Sequence, residues 1–163
     1  MANAKYEITD IQHPHKPHLR RIRALVTIGF LVNPGSLGGY VEAEKNLDVY
    51  GNAWVFGNAE VSGDAEVYGN ARVFGNAAII WVSCIGSCDR TLTAFCTKDG
   101  IHFVAGCFYG SADEFRAKVK ETHGVGQFAQ EYLLAADLFC LRLKAAQESL
   151  PADKPRPEEP EAA

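Results

Sequence analysis

The amino-acid sequence predicts a mainly β chain with α structure at its C-terminal end, and three observations carry that prediction. From Gly51 to Ile80 the chain reads GNAWVF, GNAEVS, GDAEVY, GNARVF and GNAAII, five six-residue units in register. A strict short period means one small structural unit repeated. Beyond the repeat come β-branched and apolar runs at 79–85, 91–97 and 101–105, separated by Cys88-Asp89-Arg90 and Lys98-Asp99-Gly100. Asp-Gly between two such runs is a strong hairpin signal, so a three-stranded antiparallel sheet is expected. Two helical stretches follow, near 112–123 and 127–147.

Each six-residue unit makes a four-residue strand and a corner. Side chains alternate across a strand with period two, which puts Ala53 and Val55, Ala59 and Val61, Ala65 and Val67, and Ala71 and Val73 on one face. Uniformly small and aliphatic, that face is the interior. The corners fall on Gly57-Asn58, Gly63-Asp64, Gly69-Asn70 and Gly75-Asn76, residue types that tolerate positive φ. A bend every six residues gives a triangular coil. This spacing resembles the hexapeptide-repeat, left-handed parallel β-helix family, in which three units complete a turn and an aliphatic side chain fills the interior. Where that family carries a small or acidic residue directly after the aliphatic one, this chain has Phe56, Ser62, Tyr68 and Phe74, all pointing outward. With three units per turn, residues eighteen apart stack. Phe56 is therefore expected below Phe74, Tyr50 below Tyr68 and Trp54 below Arg72, giving two aromatic ladders and a cation–π pair.

Followed backwards, the same frame places Leu47 and Val49, then Val41 and Ala43, inside the coil, which starts near residue 40. Residues 1–46 read as an N-terminal hairpin cap and lead-in, with strand-like runs at 6–9 and 19–26 around a proline- and histidine-rich loop. Pro34-Gly35 and Gly38-Gly39 read as turns. The repeat module then occupies 47–83, an α+β module 84–147, and a disordered tail of proline and charge 148–163. The order RIRAL, LGGYVEAEKNL, GNAWV resembles phage and prophage accessory proteins that carry hexapeptide-type repeats. Thr91-Leu92-Thr93-Ala94, Gly106-Cys107-Phe108, Glu114-Phe115, His123-Gly124 and Glu131-Tyr132 continue the resemblance to about residue 145. It implies an accessory protein acting inside the bacterial host.

Ser111 with Glu114 three residues on is a capping box, and Gly124 follows Lys120 and His123 as a C-terminal stop. On this first helix Phe115 and Val119 form a narrow apolar stripe. The second helix has two stripes, one of Phe128, Tyr132, Ala135, Ala136, Phe139 and Leu143, the other of Leu134, Leu138, Leu141 and Ala145. Two stripes must bury against two surfaces, the helix's own sheet and either the coil or another subunit. Fewer than two complete coils cannot bury their own ends. A homo-oligomer, a trimer, is expected.

Net charge and composition narrow the function classes. A chain of 163 residues with formal charge −4 lacks the clustered cations of a nucleic-acid binder. No apolar run is long enough to span a membrane, and the N-terminus has no signal-peptide core, so a cytoplasmic chain with five reduced cysteines is expected. His13, His15 and His18 in HPHKPH read as a surface loop. Cys84 and Cys88, with Cys96, Cys107 and His123, lack the spacing of a structural zinc site, so neither metal nor cofactor is expected. An acyltransferase-like enzyme is one alternative, yet no histidine lies between residues 19 and 101, and His102 and His123 fall outside the repeat. His123 reads as a charge favourable to a helix C-terminus; with Glu131 it would be a base lacking a nucleophile and an oxyanion site. A structural assembly protein is the other alternative. The outward aromatic surface decides for binding without turnover, with Trp54, Phe56, Arg72 and Phe74 as candidate contacts. The expected partner is a host protein, or a small nucleotide-like signalling molecule held between subunits, with counter-defence as one purpose.

Overall fold

The computed structural model describes residues 3–148, and the expected tail lies, past Glu148, outside the described residues. Strands β1 (Tyr6–Gln12) and β2 (Arg20–Ala24) form the expected antiparallel hairpin, with Ile8 opposite Ile22. Next come β3 (Leu37–Val41), β4 (Trp54–Phe56), β5 (Glu60–Val61) and β6 (Arg72–Phe74). They assemble as a four-stranded sheet in the order β1-β2-β3-β5 and a separate β4-β6 pair. The hairpin is thus the flank of a sheet that runs into the repeat.

Gly38 and Gly39 lie inside β3, where a turn was expected. A Cβ on Gly38 would sit 2.6 Å from Ile22 Cγ1 and 2.7 Å from Trp54 Cζ2, and one on Gly39 2.5 Å from the Ala59 carbonyl oxygen. Glycine marks the close approach of the β3 backbone to the coil.

The eight inner side chains from Ala53 to Val73 are all fully buried. At the corners, the φ angles of Gly51, Gly57, Gly63, Gly69 and Gly75 run from 58° to 87°, the left-handed region that favours glycine. β4 and β6 pair in parallel at the spacing the repeat predicts: Trp54 faces Arg72, Val55 faces Val73 and Phe56 faces Phe74. The preceding turn is longer. Val41 faces Val61 and Leu47 faces Val67, both in parallel and twenty residues apart. A two-residue shift keeps every side chain on its face, so Val41 and Leu47 are buried as expected while Ala43 and Val49 are half-buried. The shift does change stacking partners. Asp48, whose N–H donates to the Val67 carbonyl at 2.9 Å, takes the place beside Tyr68 that Tyr50 was expected to fill, and Tyr50 is 77% exposed.

Non-repeat side chains hold this longer turn. Asn46, fully buried in a short 3-10 turn, accepts from the Ala43 N–H at 2.9 Å and donates to the Ala65 and Gly63 carbonyls at 2.9 and 3.1 Å. Lys5 donates to the Asp48 and Tyr50 carbonyls at 2.8 and 3.1 Å, and the Tyr6 hydroxyl donates to the Leu47 carbonyl at 2.8 Å. Desolvation lowers the Lys5 ammonium to about 8 against its usual 10.5, with Asp48 opposing the shift.

After the coil, β7 (Ile79–Ile85), β8 (Arg90–Thr97), β9 (Gly100–Ala105) and β10 (Phe108–Ser111) form an antiparallel sheet in the order β10-β9-β8-β7. Three strands were expected and four are present. The fourth, FYGS, is short, contains a glycine and runs straight into a helix cap, so it carries no alternation to read. An Ala71–Thr97 bridge ties this sheet to the coil, and the Tyr109 ring closes over the Gly69 corner.

Helix α1 (Ala112–His123) starts with the predicted Ser111–Glu114 capping box, and α2 spans Gln127–Glu148. Phe103 of β9 stacks on Phe115 at 4.9 Å and on Phe139 at 6.2 Å. α2 buries Ala129, Tyr132, Ala136, Phe139 and Leu143, while Phe128 of the expected buried stripe is half out in solvent. Its second stripe is uncovered in the single chain, with Leu134, Leu138 and Leu141 exposed by 70%, 57% and 76%. No described helix is long and apolar enough to cross a membrane.

Candidate binding surface

The parallel register of β4 and β6 brings together all four residues singled out from the sequence, but it does not leave them equally accessible. Trp54 points outward from the coil as expected, yet it is 1% exposed, because the N-terminal sheet covers that face and sets Tyr6 edge-on to it at 6.3 Å. It forms a floor rather than a contact surface. Phe56 and Phe74 are half-buried and stacked, centroids 4.0 Å apart and planes 9° from parallel. Arg72, half-buried, continues the surface on the Trp54 side.

A lip that sequence reasoning missed turns this surface into a groove. In the loop after β2, Ile28 and Val32 pair across a short bridge and are both buried, which pushes Phe30 between them out into solvent at 60% exposure. Leu31 stands beside it. Asn52 and Asn70, joined side chain to side chain at 3.3 Å, form another wall, and Lys98 reaches in from the β8–β9 turn. The signal for Phe30 was its place in an apolar run, Ile28-Gly29-Phe30-Leu31-Val32, flanked by loop residues; nothing local marked Lys98. The groove encloses about 70 Å³ and has no Asp or Glu in its lining. Sites that engulf a drug-sized ligand run to about 300–1,000 Å³. Two cations beside an aromatic surface, with no acid among them, can take an apolar or acidic group laid across the mouth.

No family model, curated protein or solved structure matches the chain.

The residues an enzyme reading would need are elsewhere and otherwise engaged. His102 Nδ1 lies 3.0 Å from the Thr97 hydroxyl, and its ring stacks on Tyr109. His123, at the end of α1, stacks on Tyr132 at 5.6 Å. Glu131 accepts instead from the Gly86 N–H at 3.1 Å and from Gln127 at 3.0 Å, so no His123–Glu131 pair is assembled. In the HPHKPH loop His13 packs edge-on to Tyr40 and lies 3.2 Å from Glu60, which Lys16 also contacts. Among the described residues no three His, Cys, Asp or Glu side chains converge as a ligand set. Cys96 is buried, and burial pushes its thiol up to about 11.

Proposed function

We propose that the protein is a non-enzymatic phage or prophage accessory protein, acting in the bacterial cytoplasm by binding a host component. The observation that carries this reading is the acid-free groove of Phe56, Arg72 and Lys98, with the Phe56–Phe74 stack beside it, on a chain whose formal charge is −4. Its volume favours a macromolecule laid across it over a small molecule engulfed by one chain. Blocking a host immune protein is the purpose that fits; a nucleotide-like signalling molecule would need a second subunit to close the groove. Corner glycines and parallel rungs support a left-handed β-helix for the coil. The uncovered stripe of Leu134, Leu138 and Leu141, spaced four and three apart like a helix–helix seam, supports a homo-oligomer, with a trimer as the proposed order.

The test uses the full chain as bait on an affinity column loaded with host lysate. Phe74→Ala and Arg72→Ala are expected to lower retention of the specific host protein about tenfold or more, as at interface hot spots. His102→Ala should retain it. Equal loss in all three variants, or activity abolished by His102→Ala alone in a folded protein, overturns the reading. A nucleotide-like species released by heat in stoichiometric amount would replace a protein target by sequestration. Leu138→Lys is expected to convert the oligomer to monomer in light scattering.

A further inference from the structure

A second cleft with an aromatic floor lies away from the groove, in the C-terminal module between the sheet and the two helices. It encloses about 250 Å³. Phe115 and Tyr132, both nearly buried, lie at its base with Phe108. Arg90, Lys118 and His123 line it and no carboxylate does. Lys118 is held by Glu121 at 2.9 Å, outside the lining, which fixes the ammonium without placing an acid in the cleft. Arg90 lies across Gly106, where a Cβ would overlap its Nη1. Glycine at this turn between β9 and β10 leaves room for the Arg90 guanidinium at the cleft wall.

We propose that this cleft binds a small organic anion, a carboxylate or phosphate on a flat apolar body, with the ring on Phe108, Phe115 and Tyr132 and the anion on Arg90. Three observations point to one ligand chemistry. The volume suits a body of one or two fused rings. The aromatic base favours a planar apolar group, since offset and edge contacts between rings add to the area buried. Arg90 and Lys118 are the charged side chains of the lining, Lys118 already paired with Glu121, and the planar guanidinium of Arg90 matches a carboxylate or phosphate in two parallel hydrogen bonds. This site shares no residue with the groove of Phe56 and Arg72.

Two thiols make the proposal readable. Cys88 and Cys107 line the cleft and are exposed, whereas Cys84 is exposed outside it. The full chain is treated with iodoacetamide, and alkylation of each cysteine is followed by mass spectrometry with and without 2-naphthoate, using naphthalene-2-carboxamide as a neutral isostere. Naphthoate is expected to slow alkylation of Cys88 and Cys107 and to leave Cys84 unchanged, at about tenfold lower concentration than the amide, the size of a charge-assisted contact. Arg90→Gln should remove that preference for the acid, and Phe74→Ala should leave it intact. Equal protection by acid and amide overturns the anion site. Naphthoate binding detected by its fluorescence, without protection of either thiol, would place the probe elsewhere on the chain and overturns the cleft as the site.

Discussion

Two successive turns of the same coil are held in different ways. The turn that pairs β4 with β6 is built from the repeat itself: eighteen residues, a glycine at each corner, and every inner position Ala or Val. The turn before it takes twenty residues and has no repeat in its first half, and its stray backbone groups are met by Asn46, Lys5 and Tyr6. Repetition fixes register locally, because each unit carries the same inside and corner residues. Where repetition stops, register must be imposed by side chains that arrive from elsewhere in the sequence, and those side chains carry buried polar atoms whose loss is costly.

The severest way to break the comparison strikes both turns at once. Val61 is fully buried between rungs, and Val61→Asp places a carboxylate there with no partner, at several kcal/mol or more. The expected outcome is loss of the cooperative melt; a folded variant would show that the inner face is misassigned. Asn46→Ala separates the turns. It strands the Ala43 N–H and the Ala65 carbonyl, at about 1–3 kcal/mol for each buried group left unpaired. Hydrogen exchange should quicken at Val67 and Asp48 while the Trp54 amide, bonded to Ala71, keeps its protection. Uniform loosening would mean that the turns are one cooperative unit.

Lys5 sharpens the contrast through pH. Its folded value of about 8 lies below the unfolded 10.5, so between these the unfolded chain binds more protons and stability attributable to Lys5 rises with pH. Below about 8 the cost of burying the ammonium is present in full. The difference in urea midpoint between the wild type and Lys5→Met should therefore change in the wild type's favour from pH 8 to pH 10. A flat difference refutes the burial of that charge. Cys96, raised to about 11, pulls the other way above pH 9 in both proteins and drops out of the comparison. The smallest effect belongs to Glu60→Lys, which loses contacts with His13 and Lys16 at a largely covered margin of the coil and should cost about 1–2 kcal/mol. A loss comparable to that of Asn46→Ala would show that the histidine loop clamps the coil.

What the sequence disclosed follows the same division. Inside and outside were legible from Val41 to Val73 because period two survives a two-residue insertion, whereas the stacking partner of Tyr68 does not. Gly38-Gly39 misled, since a glycine pair reads as a turn until the backbone it lets in is known. The burial of Trp54 was hidden for a related reason: a residue facing out of one layer is in the core once a second layer covers it. Phe56 and Phe74 were legible as a stack from spacing alone. Phe30 and Lys98 belong to a loop and a turn with no period, so their arrival at the same groove depends on the tertiary fold.

The corners of the coil are not equivalent. A side chain added at Gly57, Gly63 or Gly75 would meet no atom within 4 Å, whereas one at Gly51 would press on the Gly69 carbonyl and one at Gly69 on the Tyr109 ring. The corners at Gly57, Gly63 and Gly75 are consequently open margins, and the corner at Gly69 is a closed seam against the C-terminal sheet. A peptide grafted after Gly57 or Gly63 would stand out from the coil as a displayed loop, provided the Gly57 and Gly63 carbonyls keep their hydrogen bonds from Arg21 and Asn46 at 2.9 and 3.1 Å. At Gly69 the same graft would have to pry the two halves of the molecule apart.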